Sequence, residues 1–141
     1  MFELKFEDKV KVWKNLREKL ETHPRPFEAV LHFVNKLPRS SSKTNAWDPK
    51  AKIEPWHLIE KDAFTEYEIA QLTAYTLQLT DRFSSSKIEI HISKETKKSI
   101  LLYLVYVDNF IVIGYNNGVM TVEELPGSIV SQKIYKMPLL N

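Results

Sequence analysis

Ser99-Ile-Leu-Leu-Tyr-Leu-Val-Tyr-Val107, followed by Asp108-Asn109 and then Phe110-Ile-Val-Ile-Gly-Tyr115, decides the fold of this chain. An unbroken apolar run rich in Leu, Val and Tyr fits a strand covered on both faces, and Asp-Asn marks the turn at which the chain reverses. Two neighbouring buried strands are therefore expected, over 99–107 and 110–115. A strand that is apolar on both sides needs two covers. Helices elsewhere in the chain supply one, and a partner or a second copy is the expected source of the other.

Upstream, Ile88, Ile90 and Ile92 alternate with Glu89 and His91, the pattern of a strand with one wet face. Downstream, Asn116-Asn-Gly118 is a hairpin signal that returns Val119 to Val122 onto the preceding strand, and Ile129 to Tyr135 adds an edge strand before Met137-Pro138. Residues 87–135 thus read as an antiparallel sheet, a meander of four to five strands.

Toward the N-terminus the period changes to that of helices. Phe6, Val10, Trp13, Leu16 and Leu20 make one apolar stripe, which predicts a helix from Phe6 to Glu21. Pro26 opens a second helix that carries Phe27, Val30, Leu31, Val34 and Leu37 before Pro38 stops it, so residues 1–37 form a helical hairpin. Residues 38–53 read as a Ser-rich loop, and helices follow over 54–80. Pro55 opens a short one. Thr65 and Glu68 stand at capping-box spacing, with Phe64 and Ile69 placed as a hydrophobic staple, and the helix they start carries Ile69, Leu72, Thr76 and Leu79 on one face. The expected fold is α+β: one domain over 1–141, with an N-terminal helical hairpin and a central helix packed on the meander.

Composition narrows the chemistry. With 141 residues and no cysteine, the chain is long enough to bury a core without disulfides, and thiolate metal sites, iron–sulfur clusters and cysteine nucleophiles are excluded. Three glycines, scattered among strand and turn positions, make no phosphate-binding loop, and no pair of closely spaced histidines suggests a metal. No cofactor is expected. Twenty basic against 18 acidic residues give a net charge of +2, which argues against the long-range field of a nucleic-acid binder. The densest cationic patches are Lys94, Lys97 and Lys98 and the loop holding Lys43, Lys50 and Lys52, on which a nucleic-acid-binding accessory role would have to rest. The N-terminus mixes both signs of charge without an apolar signal core, and no apolar run reaches the length of a membrane span. A cytoplasmic protein with no membrane partner is the expectation.

Two clusters could carry acid–base work. His91 and Glu89, two apart on one strand, point the same way, yet no Ser or Asp can be placed beside them from sequence. His57, Glu60 and Asp62 form the other; on a short helix His57 and Glu60 would share a face, a spacing that suits a weak metal site or surface ion pairing. The aromatic residues suggest a different role. Trp47, Trp56, Tyr103, Tyr106 and Tyr115 are of the types most enriched among interface anchors.

The succession of Trp47-Asp-Pro49, Pro55-Trp56-His-Leu-Ile59, the helix Tyr67 to Leu79 with Ala74-Tyr-Thr-Leu-Gln-Leu-Thr80, and the meander resembles small uncharacterised proteins of T4-type tailed bacteriophages. This resemblance implies a minor structural or host-interaction factor, located in the host cytoplasm or the virion. A helix followed by antiparallel strands is also similar to the core of transglutaminase-like and papain-like enzymes, where a cysteine starts the helix and His and Asp lie on the next strands. Here Thr65 and Glu66 occupy the helix start, and neither 99–107 nor 110–115 contains a His, so that activity does not carry over. The leading expectation is a non-catalytic protein-interaction or assembly role through a protein partner or self-association. The alternatives are a small hydrolase-like enzyme using His91 with Glu89 or His57 with Asp62, and the nucleic-acid accessory role.

Overall fold

Thr65 and Glu68 start the helix on which the rest of the molecule is assembled. The Glu68 N–H donates to Thr65 Oγ1 (3.2 Å) and the Thr65 N–H to Glu68 Oε1 (2.9 Å), so two otherwise orphaned donors at the helix start are satisfied reciprocally. The computed structural model describes residues 5–40 and 54–138. Its helices are α1 (Phe6–Leu20), α2 (Pro26–Asn35), α3 (Pro55–Ile59) and α4 (Glu66–Gln78), and its strands are β1 (Ile88–Glu95), β2 (Ile100–Val107), β3 (Ile111–Ile113), β4 (Val119–Thr121) and β5 (Ile129–Lys136). Most of the Ser-rich loop, and with it Trp47, lies outside the described residues.

Every residue of α4 except Glu66 is buried, because the helix is packed between the sheet and the other helices. Two of its polar residues are accommodated locally, the Thr73 and Thr76 hydroxyls donating back to the carbonyls of Ile69 (2.8 Å) and Leu72 (2.6 Å), whereas the buried Gln71 amide has no hydrogen-bond partner among the described residues. Trp13 of α1 reaches α4 directly, its indole N–H donating to Thr76 Oγ1 at 2.8 Å. The end of α1 is tied to the end of α4 as well. Glu21 accepts from the backbone N–H groups of Asp81 and Arg82, while the Arg82 guanidinium donates to the carbonyls of Leu20 and His23. These bonds fix the turn between α1 and α2, which lie side by side as the expected hairpin.

The strand order is β4-β3-β2-β1-β5, antiparallel throughout. Asp108 and Asn109 both have φ near +54°, the geometry of a tight reversal, and Phe110 N–H closes it on the Val107 carbonyl at 3.0 Å. Asp108 does more than shape its own turn. Its carboxylate accepts from Lys87 N–H (2.8 Å) and so fastens the turn to the start of β1. Gly114, with φ +110°, occupies a conformation closed to side chains and turns the chain out of β3. The expected hairpin at Asn116 to Gly118 is present: Asn116 and Asn117 both have φ near +54°, the Gly118 N–H closes the turn on the Tyr115 carbonyl at 2.9 Å, and β4 pairs back on β3.

The wet face expected for β1 is corrected by the structure. β1 is the central strand, held by β2 on one side and by β5 on the other, and Glu89, His91, Ser93 and Glu95 are all buried. One sheet face, carrying Ile88, Ile90, Ile92, Val105 and Val107, packs into the main core with α4. The opposite face carries Leu104, Tyr106, Val112 and Ile129, and Tyr115, Met120 and Leu125 pack against it. The second cover therefore comes from the chain itself over Leu104 and Tyr106, but the expectation of fully buried strands is corrected at their ends, where Ile100, Leu101 and Phe110 are exposed. β4 and β5 stand at opposite edges, so the segment Val122–Ser128 that joins them must cross the sheet, and it brings Leu125 down on this face.

Candidate functional site

β1 presents Glu89 and His91 on the face away from α4, and β5 brings Ser131 beside them. Residues two apart on a strand share a face, and the register Ser93↔Ser131 and His91↔Ile134 contains a bulge that shifts β5 by one residue. The result is a short polar chain. His91 Nδ1 lies 2.7 Å from Ser131 Oγ and Nε2 lies 3.2 Å from Glu89 Oε1. The Tyr106 ring of β2 stacks on the imidazole, with centroids 3.6 Å apart and planes 12° from parallel. Its hydroxyl also engages Ser131.

Burial, the largest influence on His91, lowers its pKa below the ordinary value of 6.5, against the opposing pull of Glu89. The ring is thus neutral at pH 7, and its tautomer follows from its neighbours. An ionised Glu89 only accepts, so the ring proton sits on Nε2 and Nδ1 is left to accept from the Ser131 hydroxyl. Because folding lowers the pKa, the unfolded chain binds the His91 proton more tightly. His91 therefore contributes stability above about pH 6.5 that is lost as the pH falls below it. Urea unfolding midpoints measured from pH 8 to pH 5 are expected to decline across this window in the natural protein and to flatten there in His91→Gln.

The other expected residues are placed apart. Asp62, 85 % exposed, is taken up by Lys9 Nζ at 2.9 Å, and His57 is exposed on α3. No group of three or more His, Asp or Glu able to hold a metal ion occurs among the described residues. Lys94, Lys97 and Lys98 are exposed around the turn from β1 to β2. Of the aromatic candidates, Trp56 is 46 % exposed and meets Trp13 edge-on at 5.4 Å, with the Arg17 guanidinium beside both rings. Tyr103 is half-buried against Tyr67, Tyr115 is half-buried against the second sheet face, and Tyr106 is buried on His91, which takes it off the surface. Among the described residues, no helix is long and apolar enough to cross a membrane.

One surface was not singled out by the sequence. Between α1 and α2 runs an open groove of about 520 Å³, floored by Leu16, Leu20, Ala29 and Phe33. Its rim carries Lys19, Arg25 and Lys36 together with His23 and His32, against the single carboxylate of Glu28. Arg25 N–H donates to His23 Nδ1 (2.9 Å), which leaves Nε2 as the nitrogen turned to other partners. Glu28 lies 3.9 Å from Arg25 Nη2 and offsets one cation. A chain whose charges nearly balance overall is cationic here.

No family model and no curated protein matches this chain. Any functional assignment therefore rests on these two places: the polar chain on the sheet and the groove between the helices.

Proposed function

We propose that the protein is an interaction module whose α1–α2 groove receives an acidic amphipathic helix of a protein partner. The observation that carries this reading is the pairing of an apolar floor with a cationic rim: three Lys or Arg and two His surround Leu16, Leu20, Ala29 and Phe33, with Glu28 as the only acid. A helix laid in such a groove buries its apolar stripe on the floor while carboxylates on its flanks meet the rim. The ten residues of α2 give a contact of about 15 Å, enough for two to three turns of a docked helix. Opposite charges at the rim steer association and set orientation, while the apolar floor supplies most of the affinity. The resemblance to small T4-type phage proteins fits a partner that is a virion or host protein, and an assembly role is the biological setting we propose.

The test is fluorescence anisotropy with a labelled amphipathic helical peptide of about 18 residues, Leu on one face and Glu on the other, beside its Lys counterpart. The Glu peptide should bind, more weakly as salt rises from about 50 to 300 mM, and the Lys peptide should not. Reversing Lys19 and Lys36 to Glu together should weaken binding about tenfold and admit the Lys peptide. Absence of binding by the Glu peptide, or equal binding of both peptides, would overturn the proposal. Light scattering of the protein alone separates self-association from capture of a partner.

A further inference from the structure

We propose that Ser131 is an activated nucleophile, wired through His91 to Glu89 as a serine–histidine–glutamate set that accepts acyl groups from small activated esters. The proposal is independent of the groove, and it rests on connectivity. His91 uses Nδ1 on Ser131 Oγ (2.7 Å) and Nε2 on Glu89 Oε1 (3.2 Å), which gives the connectivity of an activated serine, nucleophile, base and a carboxylate that fixes the tautomer, with the two ring nitrogens exchanged relative to the serine-protease triad. The burial pattern suits the roles. Glu89 is 5 % and His91 7 % exposed, whereas Ser131 is an exposed position on an edge strand, where a substrate can reach it. The stacked Tyr106 ring holds the imidazole plane. A purely structural histidine could be satisfied by its own strand neighbours; this one is linked to a surface hydroxyl on a strand 40 residues away in sequence.

In the proposed step, Ser131 Oγ forms a bond to the ester carbonyl carbon as its proton passes to His91 Nδ1. The resulting imidazolium is stabilised through Nε2–H by Glu89. Collapse of the tetrahedral intermediate breaks the bond to the leaving oxygen, which takes the proton from His91. Water then repeats the sequence on the acyl-serine, its proton passing to His91 and back to Ser131, and the acid is released. Burial and Lys87 lower the His91 pKa while Glu89 raises it; Tyr106 from β2 stacks on the ring, and Lys136 of β5 stands opposite Glu89 in the strand register.

The experiment is labelling of the full chain with a fluorophosphonate probe, read by intact mass and peptide mapping across pH 5 to 8. One phosphonyl group should map to Ser131, with a rate that falls toward the acid end of this range as His91, whose pKa burial holds below its ordinary value, takes up a proton. Ser131→Ala should abolish the label and Ser128→Ala leave it unchanged. His91→Gln should slow labelling at least tenfold, about 1.4 kcal/mol or more in the barrier. Should His91→Gln prove unfolded by circular dichroism, the pH profile of the natural protein decides. Absence of label on Ser131, a rate indifferent to pH over this range, or an undiminished rate in folded His91→Gln would overturn the proposal. Peptide binding at the groove should survive Ser131→Ala, so failure of one site is distinguishable from failure of the other.

Discussion

Replacing Trp13 with Ala is expected to destabilise the protein by about 3–5 kcal/mol, the range for removing a large buried aromatic residue. Trp13 is fully buried and is the contact through which α1 is seated on α4. Three losses coincide at this position. The indole volume becomes a cavity in the main core, the 2.8 Å bond to Thr76 Oγ1 disappears, and Trp56 loses the ring it meets edge-on. Thr76 is itself still bonded to the Leu72 carbonyl, so the hydroxyl is not orphaned and the cost falls mainly on packing. Trp13→Phe separates these contributions. It keeps most of the volume and gives up the indole N–H, and should cost about 1–2 kcal/mol. Urea unfolding followed by far-UV circular dichroism measures both; a loss below about 1 kcal/mol for Trp13→Ala would mean that α1 is not seated as described.

Lys9→Met is the second large effect, expected at about 2–3 kcal/mol. Lys9 is 3 % exposed, and its ammonium donates to the carbonyls of Glu60 (3.3 Å) and Lys61 (3.2 Å) and to Asp62 Oδ1 (2.9 Å). The carbonyls belong to the end of α3, which has no further turn to receive them. Met keeps the aliphatic stem but leaves these acceptors without the buried cation. The ion pair contributes little of this, because Asp62 is 85 % exposed and screened by water. Asp62→Asn should therefore change stability by less than about 0.5 kcal/mol. Equal losses for the two substitutions would assign the energy to the ion pair instead.

What the sequence disclosed follows from how far each interaction reaches along the chain. The capping box at Thr65 and Glu68 and the reversal at Asp108 and Asn109 were legible because they join residues one to three apart. The apolar stripes likewise located α1, α2 and α4. The alternation Ile-Glu-Ile-His over β1 was misleading for a physical reason. Polar residues signal a wet face only when water is their partner, and here Glu89, His91 and Ser131 satisfy one another beneath a tyrosine ring. Ser131 could not be paired with His91 in advance, because that requires knowing that the last strand docks on the first and where its bulge falls. The groove was hidden differently. Lys19, Arg25 and Lys36 look like ordinary solvated charges until α1 and α2 are set side by side.

The order β4-β3-β2-β1-β5 has a consequence for how the protein is made. During synthesis, β1, β2, β3 and β4 can pair as each leaves the ribosome, but the outer edge of β1 waits for β5. With the His91 and Ser131 positions 40 residues apart, that wait is about 2–8 s at ordinary elongation rates. Throughout it the nascent chain offers the backbone of its central strand, flanked by isoleucines, to any other unfinished strand nearby. A translational pause or a premature stop before Ile129 would prolong this exposure, so aggregation of the newborn chain is the cost of closing the sheet with its final strand.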